Sequence, residues 1–257
     1  MNKMGSALTY AVAVLVLSYG VAGVYFSGLV VRSPVRDLIL MTGYMWLPAL
    51  VTLVLVRLQG RRIRDLGIRL RPGRWFVFAW LVFVPLAALS IPVNLLFPGT
   101  GFSPVMRGYL SGLEGTVPAD QLAQMAGNAA SRPVVTLLLM VGQGLLAGVT
   151  INALAAFGEE LGWRGYLHDA LFGRGFWTTA LFTGALWGIW HAPLIVQGHN
   201  YPGYPVLGVI WMVIWCMLLS PLMTLIREQT PQILPDCPGF CKRQCRQTGS
   251  ETHKKNI

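Results

Sequence analysis

The run Phe157-Gly158-Glu159-Glu160-Leu161-Gly162-Trp163-Arg164 ends a long apolar stretch of this chain. Charged residues are rare in the sequence, and long apolar segments lie both before and after the run. A carboxylate in or beside a membrane-spanning segment is costly to desolvate, so it is a functional candidate by default. Glu159, Glu160 and Arg164 are therefore the first candidates for a functional site.

The composition indicates a membrane protein. Of the 257 residues, 54% are hydrophobic and 12% are charged, whereas a soluble domain has about 25% charged residues. The apolar residues form blocks of about 20, a length that crosses a bilayer as a helix. We predict an all-α fold, a polytopic bundle of about six transmembrane helices in residues 1–226, with spans at 8–31, 38–56, 75–97, 134–157, 176–196 and 206–226.

The basic residues predict how the bundle is oriented. The loop at 57–74 carries seven arginines and one aspartate, which is typical of a cytoplasmic loop. Alternation then places 98–132 outside, the Glu159-Glu160 run near the cytoplasmic face, and both termini in the cytoplasm. The loop with Arg32 and Arg36 fits this orientation less well. We attribute the net charge of +10 to topology and lipid headgroups, not to nucleic-acid binding.

The segment 227–257 differs from the rest of the chain. It is polar and shows no helical apolar period, so it is expected to be a disordered cytoplasmic tail. Its cysteines, Cys237, Cys241 and Cys245, are spaced by four residues and do not form the Cys-x-x-Cys pair that is typical of zinc sites. Cys216 lies in an apolar block, and we predict no disulfide-based fold.

The fourth span predicts different roles for the two glutamates. On one continuous helix at 100° per residue, a stripe is formed by Gly144, Gly148, Asn152, Ala155 and Glu159. Such stripes let membrane helices approach closely, so Glu159 is expected to face the bundle. Glu160 and Arg164 lie on another face and can pair, because they are four residues apart.

We therefore predict that Glu160 is structural and that Glu159 is the free interior carboxylate. A carboxylate that is partly removed from water is a stronger base, which suits general-base catalysis near neutral pH. The alternative is that both glutamates simply lie among the lipid headgroups.

The fifth span carries a candidate histidine. One face of this helix carries Gly184, Gly188 and His191, at offsets of zero, four and seven residues. Trp187 lies one turn before the histidine. His191 can serve as a metal ligand, an acid or base, or a hydrogen-bond donor to an oxyanion. The alternative is a buried histidine that only satisfies a hydrogen bond.

The other histidines are weaker candidates. His168 is expected at the membrane interface, and His253 lies in the polar tail. The predicted topology places His199 across the membrane from Glu159, which argues against a role for it in the same site.

Both candidate motifs resemble those of the CPBP family of intramembrane endopeptidases, which includes CAAX proteases and bacteriocin-processing enzymes and is also called Abi. The family pattern is Glu-Glu-x-x-x-Arg on one helix and Phe-x-x-x-His on the next. Here these are Glu159-Glu160-x-x-x-Arg164 and Trp187-x-x-x-His191, with tryptophan in place of phenylalanine. The resemblance covers about 134–226, which we take as the catalytic core.

The resemblance implies cleavage of a peptide or prenylated protein at the bilayer, in a prokaryotic cell membrane. By family analogy, Glu159 and His191 activate a water molecule, while Glu160, Arg164 and Trp187 support the site. The family was first classed as metalloproteases and later described as glutamate-dependent. The sequence leaves open whether Glu159 and His191 bind a divalent metal such as zinc, because a usual catalytic zinc has three protein ligands.

One family motif has no counterpart in the last part of the sequence. His-x-x-x-Asn or His-x-x-x-Asp is expected after the sixth span, but His253 is followed four residues later by Ile257. Our expectation is that the tail is out of frame or truncated. Two other functions therefore stay open: a non-catalytic membrane protein with an immunity or partner-binding role, and a small transporter with Glu159 as proton carrier.

Overall fold

A computed structural model describes residues 3–29, 33–66, 73–114 and 117–229. Arg32, the three tail cysteines and His253 lie outside these residues. The described chain is helical without strands, and its elements in order are α1 (Lys3–Phe26), α2 (Pro34–Leu58), a 3₁₀ turn (Ile63–Leu66), α3 (Arg74–Leu81), α4 (Phe83–Asn94), α5 (Arg107–Gly112), α6 (Ala119–Ser131), α7 (Pro133–Val149), α8 (Ile151–Glu160), a π-helical segment (Leu161–Leu167), α9 (His168–Leu171), α10 (Phe176–Trp190), α11 (Ala192–Val196) and α12 (Pro205–Gln229).

The helices confirm the predicted polytopic bundle. Within the described residues, five spans are long and apolar enough to cross a membrane: α1, α2, α3 with α4, α10 with α11, and α12. A sixth is obtained if α6 and α7, which are bent by 119° relative to each other, count as one broken span. The chain is therefore a multi-pass membrane protein.

The buried residues divide the bundle into a tight part and a loose part. The tight part consists of α1, α2, the continuous rod from α8 through the π-helical segment to α9, and α10 to α12. Of the described residues in α3 to α7, only Ala129 is buried. An apolar surface on such helices is compatible with lipid contact, because lipid tails are as apolar as the side chains.

Glycines let the helices of the tight part touch through their backbones. A Cβ atom added at Gly158 would lie 2.6 Å from the Met45 carbonyl oxygen on α2. One added at Gly188 would lie 2.5 Å from the Val213 Cα on α12, and one added at Gly184 would lie 2.7 Å from the Met217 Cα on the same helix. The face that Gly184 and Gly188 share therefore packs closely against α12.

Aromatic side chains fill the centre of the tight part. The Trp190 ring lies 4.6 Å from that of Tyr44 and 5.9 Å from that of Trp163, measured between centroids. Its indole N–H donates to Ser18 Oγ at 2.8 Å, and the Tyr44 hydroxyl donates to the Trp190 carbonyl at 2.9 Å. These bonds tie α1, α2 and α10 together where water cannot satisfy polar groups.

The fourth predicted span is wrong as a single helix. The chain breaks at Thr150 (φ −120°, ψ −101°) between α7 and α8. The angular stripe does not survive this break: Gly148 and Asn152 are exposed, and no atom lies within 4 Å of a Cβ placed at Gly144 or Gly148. The periodicity argument assumed an unbroken helix, and it placed only the segment nearest Glu159 correctly.

The connection after the predicted fourth span is helical, because helix continues from Glu159 to Leu171, while its cytoplasmic placement stays a prediction. With a helical rise of about 1.5 Å per residue, Glu159 lies roughly 18 Å along the axis from the end of α9. The site is therefore deep in the bundle and not at the end of a span. Apolar and small residues continue through this segment. Its few charged residues suggested the end of a span, although the helix does not end there.

Smaller corrections concern the ends and breaks of other helices. The third span is interrupted at Val82, three residues before Pro85, as expected near a proline that lacks an N–H group. The segment 98–132, predicted as an outside loop, contains α5 and α6. Helix α12 continues through Arg227 to Gln229, so the first residues assigned to the tail are helical. The division into domains at 226 stays a prediction.

The glycine seam between α10 and α12 can be tested by one methyl group. We expect Gly188→Ala to lower the free energy of unfolding by about 1–3 kcal/mol, because the new Cβ would overlap the α12 backbone. Gly144→Ala makes the same change in open space, and we expect it to be neutral or stabilising by up to about 1 kcal/mol through helix propensity. Thermal unfolding of both variants in the same detergent gives the comparison, and equal melting temperatures would contradict the seam.

Candidate active site

Glu159 lies at the end of α8 and is buried, with 8% of its surface exposed. Its Oε2 accepts a hydrogen bond from the Trp187 indole N–H on α10 at 2.7 Å. The prediction that Glu159 faces the bundle is confirmed. A charge-assisted bond of this kind favours the ionised carboxylate, whereas burial disfavours it.

Glu160 and Arg164 form the predicted pair. Arg164 Nη1 donates to Glu160 Oε1 at 3.0 Å, and the arginine side chain is 5% exposed against 33% for the glutamate. The Arg164 guanidinium also stacks over the Trp187 ring, with 4.6 Å from Cζ to the ring centroid. The arginine thus connects Glu160 with the residue that binds Glu159.

Arg164 lies on a π-helical segment, which the sequence analysis treated as ordinary α-helix. All seven residues of this segment are buried. Close contact with α1 and α2 accompanies it: a Cβ at Gly162 would lie 2.1 Å from the Tyr10 hydroxyl oxygen and 2.6 Å from Pro48 Cβ. π-Helical turns often occur at functional sites, and here the turn carries the arginine of the first motif.

His191 lies where α10 ends and α11 begins, and it is half-buried. Its Nδ1 is 2.8 Å from the Trp187 carbonyl oxygen. Because a carbonyl only accepts hydrogen bonds, this contact assigns the proton to Nδ1 and leaves the lone pair on Nε2. The ring also packs edge-on against Trp190, at 4.7 Å between centroids.

Trp187 therefore holds both candidate groups. Its indole binds the Glu159 carboxylate and its main-chain carbonyl binds the His191 ring. A phenylalanine at this position would keep only the second of these bonds. The structure brings together the residues predicted from the two motifs, which are Glu159, Glu160, Arg164, Trp187 and His191.

Comparison with known proteins supports the family that the motifs indicate. Residues 141–237 match the family model described as type II CAAX prenyl endopeptidase Rce1-like. A segment of 49 residues is 45% identical to CAAX prenyl protease 2 of Methanococcus maripaludis. The match to this relative covers 19% of this chain and 18% of the relative's length. Both matches support the CPBP/CAAX family, and no solved structure matches.

The CPBP family raises the question of a metal. Among the residues that the structure describes, no three His, Cys, Asp or Glu side chains come together. A usual catalytic zinc has three protein ligands, and Glu159 with His191 supplies two. The described side chains therefore do not fit such a site, and we derive no step through a metal.

Two other histidines lie outside the group of motif residues. His168 is 6% exposed, and its Nε2 lies 3.5 Å from Glu228 Oε1. His199 follows α11, and Glu159 contacts Trp187 near the His191 end of α10. The predicted positions of His168 and His199 relative to the membrane stay predictions.

Arg227 was missed as a site-related residue. Its Nε donates to the Arg164 carbonyl at 2.8 Å, and its Nη2 donates to the Leu66 carbonyl at 2.7 Å. Its polar surroundings in the sequence predicted that it belongs to the tail at 227–257. A basic residue directly after an apolar span could have been assigned to the last helical turn, where cations are favourable near free carbonyls.

The burial of His168 predicts a dependence of stability on pH. Burial lowers the pKa of His168, the Arg227 guanidinium acts in the same direction, and Glu228 opposes them. The unfolded chain, with an ordinary histidine pKa of about 6.5, then binds more protons than the folded protein. We expect the melting temperature in detergent to fall as the pH drops below about 6.5, and His168→Gln to reduce that fall. An unchanged slope in the variant would contradict this assignment.

Proposed function

We propose that this chain is an intramembrane endopeptidase of the CAAX prenyl-protease type. In this proposal, Glu159 and His191 activate the water molecule that attacks a peptide carbonyl. The observation that carries the proposal is the double contact of Trp187, which binds Glu159 Oε2 through its indole and His191 Nδ1 through its carbonyl. These contacts leave Glu159 Oε1 and His191 Nε2 as the atoms that can accept protons from water.

The proposed reaction is general-base hydrolysis. Glu159 accepts a proton as the water oxygen bonds to the carbonyl carbon, and the carbonyl oxygen becomes an oxyanion. The carbon–nitrogen bond then breaks, and the proton held by Glu159 passes to the leaving amine. His191 Nε2 orients the water by accepting a hydrogen bond, and the bond from Nδ1 to Trp187 fixes the imidazole.

The surrounding bundle supports this chemistry electrostatically. Glu159 is 8% exposed, and the neighbouring Gly158 packs closely against α2. The Arg164 guanidinium lies over the Trp187 ring, with 5% of its side chain exposed. In such an environment fixed charges and hydrogen bonds act more strongly than in water. Groups that are already in place can therefore stabilise the negative charge that develops in the transition state.

We propose a membrane-associated peptide or prenylated protein as the substrate. The family description and the name of the archaeal relative both refer to CAAX prenyl proteolysis. A site deep in a multi-pass bundle suits a substrate that is itself held at the bilayer by a lipid chain. We further propose a prokaryotic cell membrane as the location, with both termini in the cytoplasm.

Removing the charge of Glu159 tests the proposal directly. The protein, reconstituted in liposomes, is mixed with a prenylated CAAX peptide whose cleavage separates a fluorophore from its quencher. We expect Glu159→Gln to lower kcat by at least about 100-fold, because the general base is lost. Glu160→Gln is expected to have a smaller effect, since it removes only the partner of Arg164.

Glu114→Gln is the matched control, because it makes the same chemical change at an exposed residue outside the site. It should leave kcat unchanged. Equal cleavage by wild type and Glu159→Gln would reject the proposed role of Glu159. A folded wild-type protein that binds the peptide and does not cleave it would reject proteolysis and favour a binding function.

Trp187→Phe tests the hydrogen bond to Glu159 and inserts the residue of the family pattern. Without the indole donor the carboxylate is harder to ionise. We therefore expect the acidic limb of the kcat profile to move to higher pH while the protein stays folded. Trp177→Phe, at an exposed tryptophan at the start of α10, is the control and should leave the profile in place. A profile that moves in both variants or in neither would contradict the role of this bond.

A further inference from the structure

Arg227 connects three parts of the tight bundle. It lies in the last turn of α12 and is half-buried. From there it donates to the Arg164 carbonyl in the π-helical segment and to the Leu66 carbonyl in the 3₁₀ turn, at 2.8 and 2.7 Å. A guanidinium group is suited to this bridge, because its donors are held in one plane and point in fixed directions.

The contact with Arg164 is at the backbone of the residue that supports the site. Bonds from a charged donor are roughly twice as strong as neutral ones, so Arg227 restrains the π-helical turn at the residue whose side chain must reach Glu160 and Trp187. Without this restraint the turn loses its charged hydrogen bond to α12 and keeps its helical bonds, its packing against α1 and α2, and the hydrogen bond from Gln59 to the Tyr166 hydroxyl. The position of the Arg164 guanidinium then depends on a less rigid backbone.

A continuous series of contacts leads from Arg227 to the proposed base. Arg227 binds the Arg164 carbonyl, the Arg164 guanidinium stacks on the Trp187 ring at 4.6 Å, and the Trp187 indole binds Glu159 at 2.7 Å. Each step in the series is a direct contact between residues on two different helical elements. The end of α12 is thereby joined to a carboxylate that it does not touch.

We propose that Arg227 is a positioning residue that fixes Arg164 and, through Trp187, the orientation of Glu159. This inference rests on the proposed function for its catalytic consequence, but its structural part does not. The hydrogen bonds of Arg227 go to the Arg164 and Leu66 carbonyls and not to Glu159 or His191. Its effect is expected on kcat and on the environment of the Trp187 indole, whereas KM should change little.

The two consequences can be measured separately. In nanodiscs containing protein labelled with ¹⁵N-tryptophan, each of the nine tryptophans gives one indole resonance, and the spectrum of Trp187→Phe identifies that of Trp187. In Arg227→Gln we expect the Trp187 resonance to shift or broaden. In the cleavage assay we expect kcat to fall by about 10-fold or more with KM unchanged, because small displacements of a catalytic group lower the rate strongly.

Arg61→Gln is the matched control. Arg61 lies beyond the end of α2 and pairs with Asp169 at 2.8 Å, with 33% of each side chain exposed. It is an arginine in an ion pair next to the same rod, but it does not bind the π-helical turn. Arg61→Gln should leave both the Trp187 resonance and kcat unchanged.

Arg227→Lys serves as a second variant if glutamine prevents folding. A lysine ammonium keeps the charge but lacks the planar fork that reaches both carbonyls, so an intermediate effect is expected. An unmoved Trp187 resonance in a folded Arg227 variant would overturn the inference. If that resonance moves while the wild-type protein cleaves nothing, positioning by Arg227 is supported and the proposed proteolysis is rejected.

Discussion

The arrangement of the candidate site depends on the hydrogen bond between the Trp187 indole and the Glu159 carboxylate. A carboxylate in an apolar bundle is tolerated only if it is paired or hydrogen-bonded, because desolvation strongly disfavours its charge. Trp187 supplies the donor, and the Arg164 guanidinium on the ring of the same tryptophan supplies nearby positive charge. The bond also determines which parts of the chain must meet, since it joins the end of α8 to the last turn of α10.

The helices around this bond pack closely because glycines lie at their contacts. Gly158 and Gly162 bring the rod that carries the two glutamates against α2 and α1, and Gly184 and Gly188 bring α10 against α12. Hydrophobic burial contributes little to such contacts in lipid, so close backbone approach and van der Waals packing take its place. The glycines beside the candidate catalytic residues therefore position the site as well as pack the helices.

Further polar groups lie at the other end of the rod, near the ends of α2 and α12. Arg61 pairs with Asp169, and His168 lies beside Glu228. Arg227, next to Glu228, holds the backbone of the π-helical turn. The last turn of α12 is thus connected to the site by charged and hydrogen-bonded groups, while α3, α4 and α7 surround the bundle without burying a residue within the described chain.

The sequence alone determined the class of fold, the resemblance to the CPBP family and the identity of the paired residues. Apolar blocks long enough to cross a bilayer are a local property, and the four-residue spacing that pairs Glu160 with Arg164 is set by one turn of helix. The tertiary structure decided the break at Thr150, the depth of Glu159 in the bundle, the bond from Trp187 and the role of Arg227. These features arise between elements that are distant in the chain, and a periodicity calculated along one segment contains no information about which neighbouring helix supplies the partner.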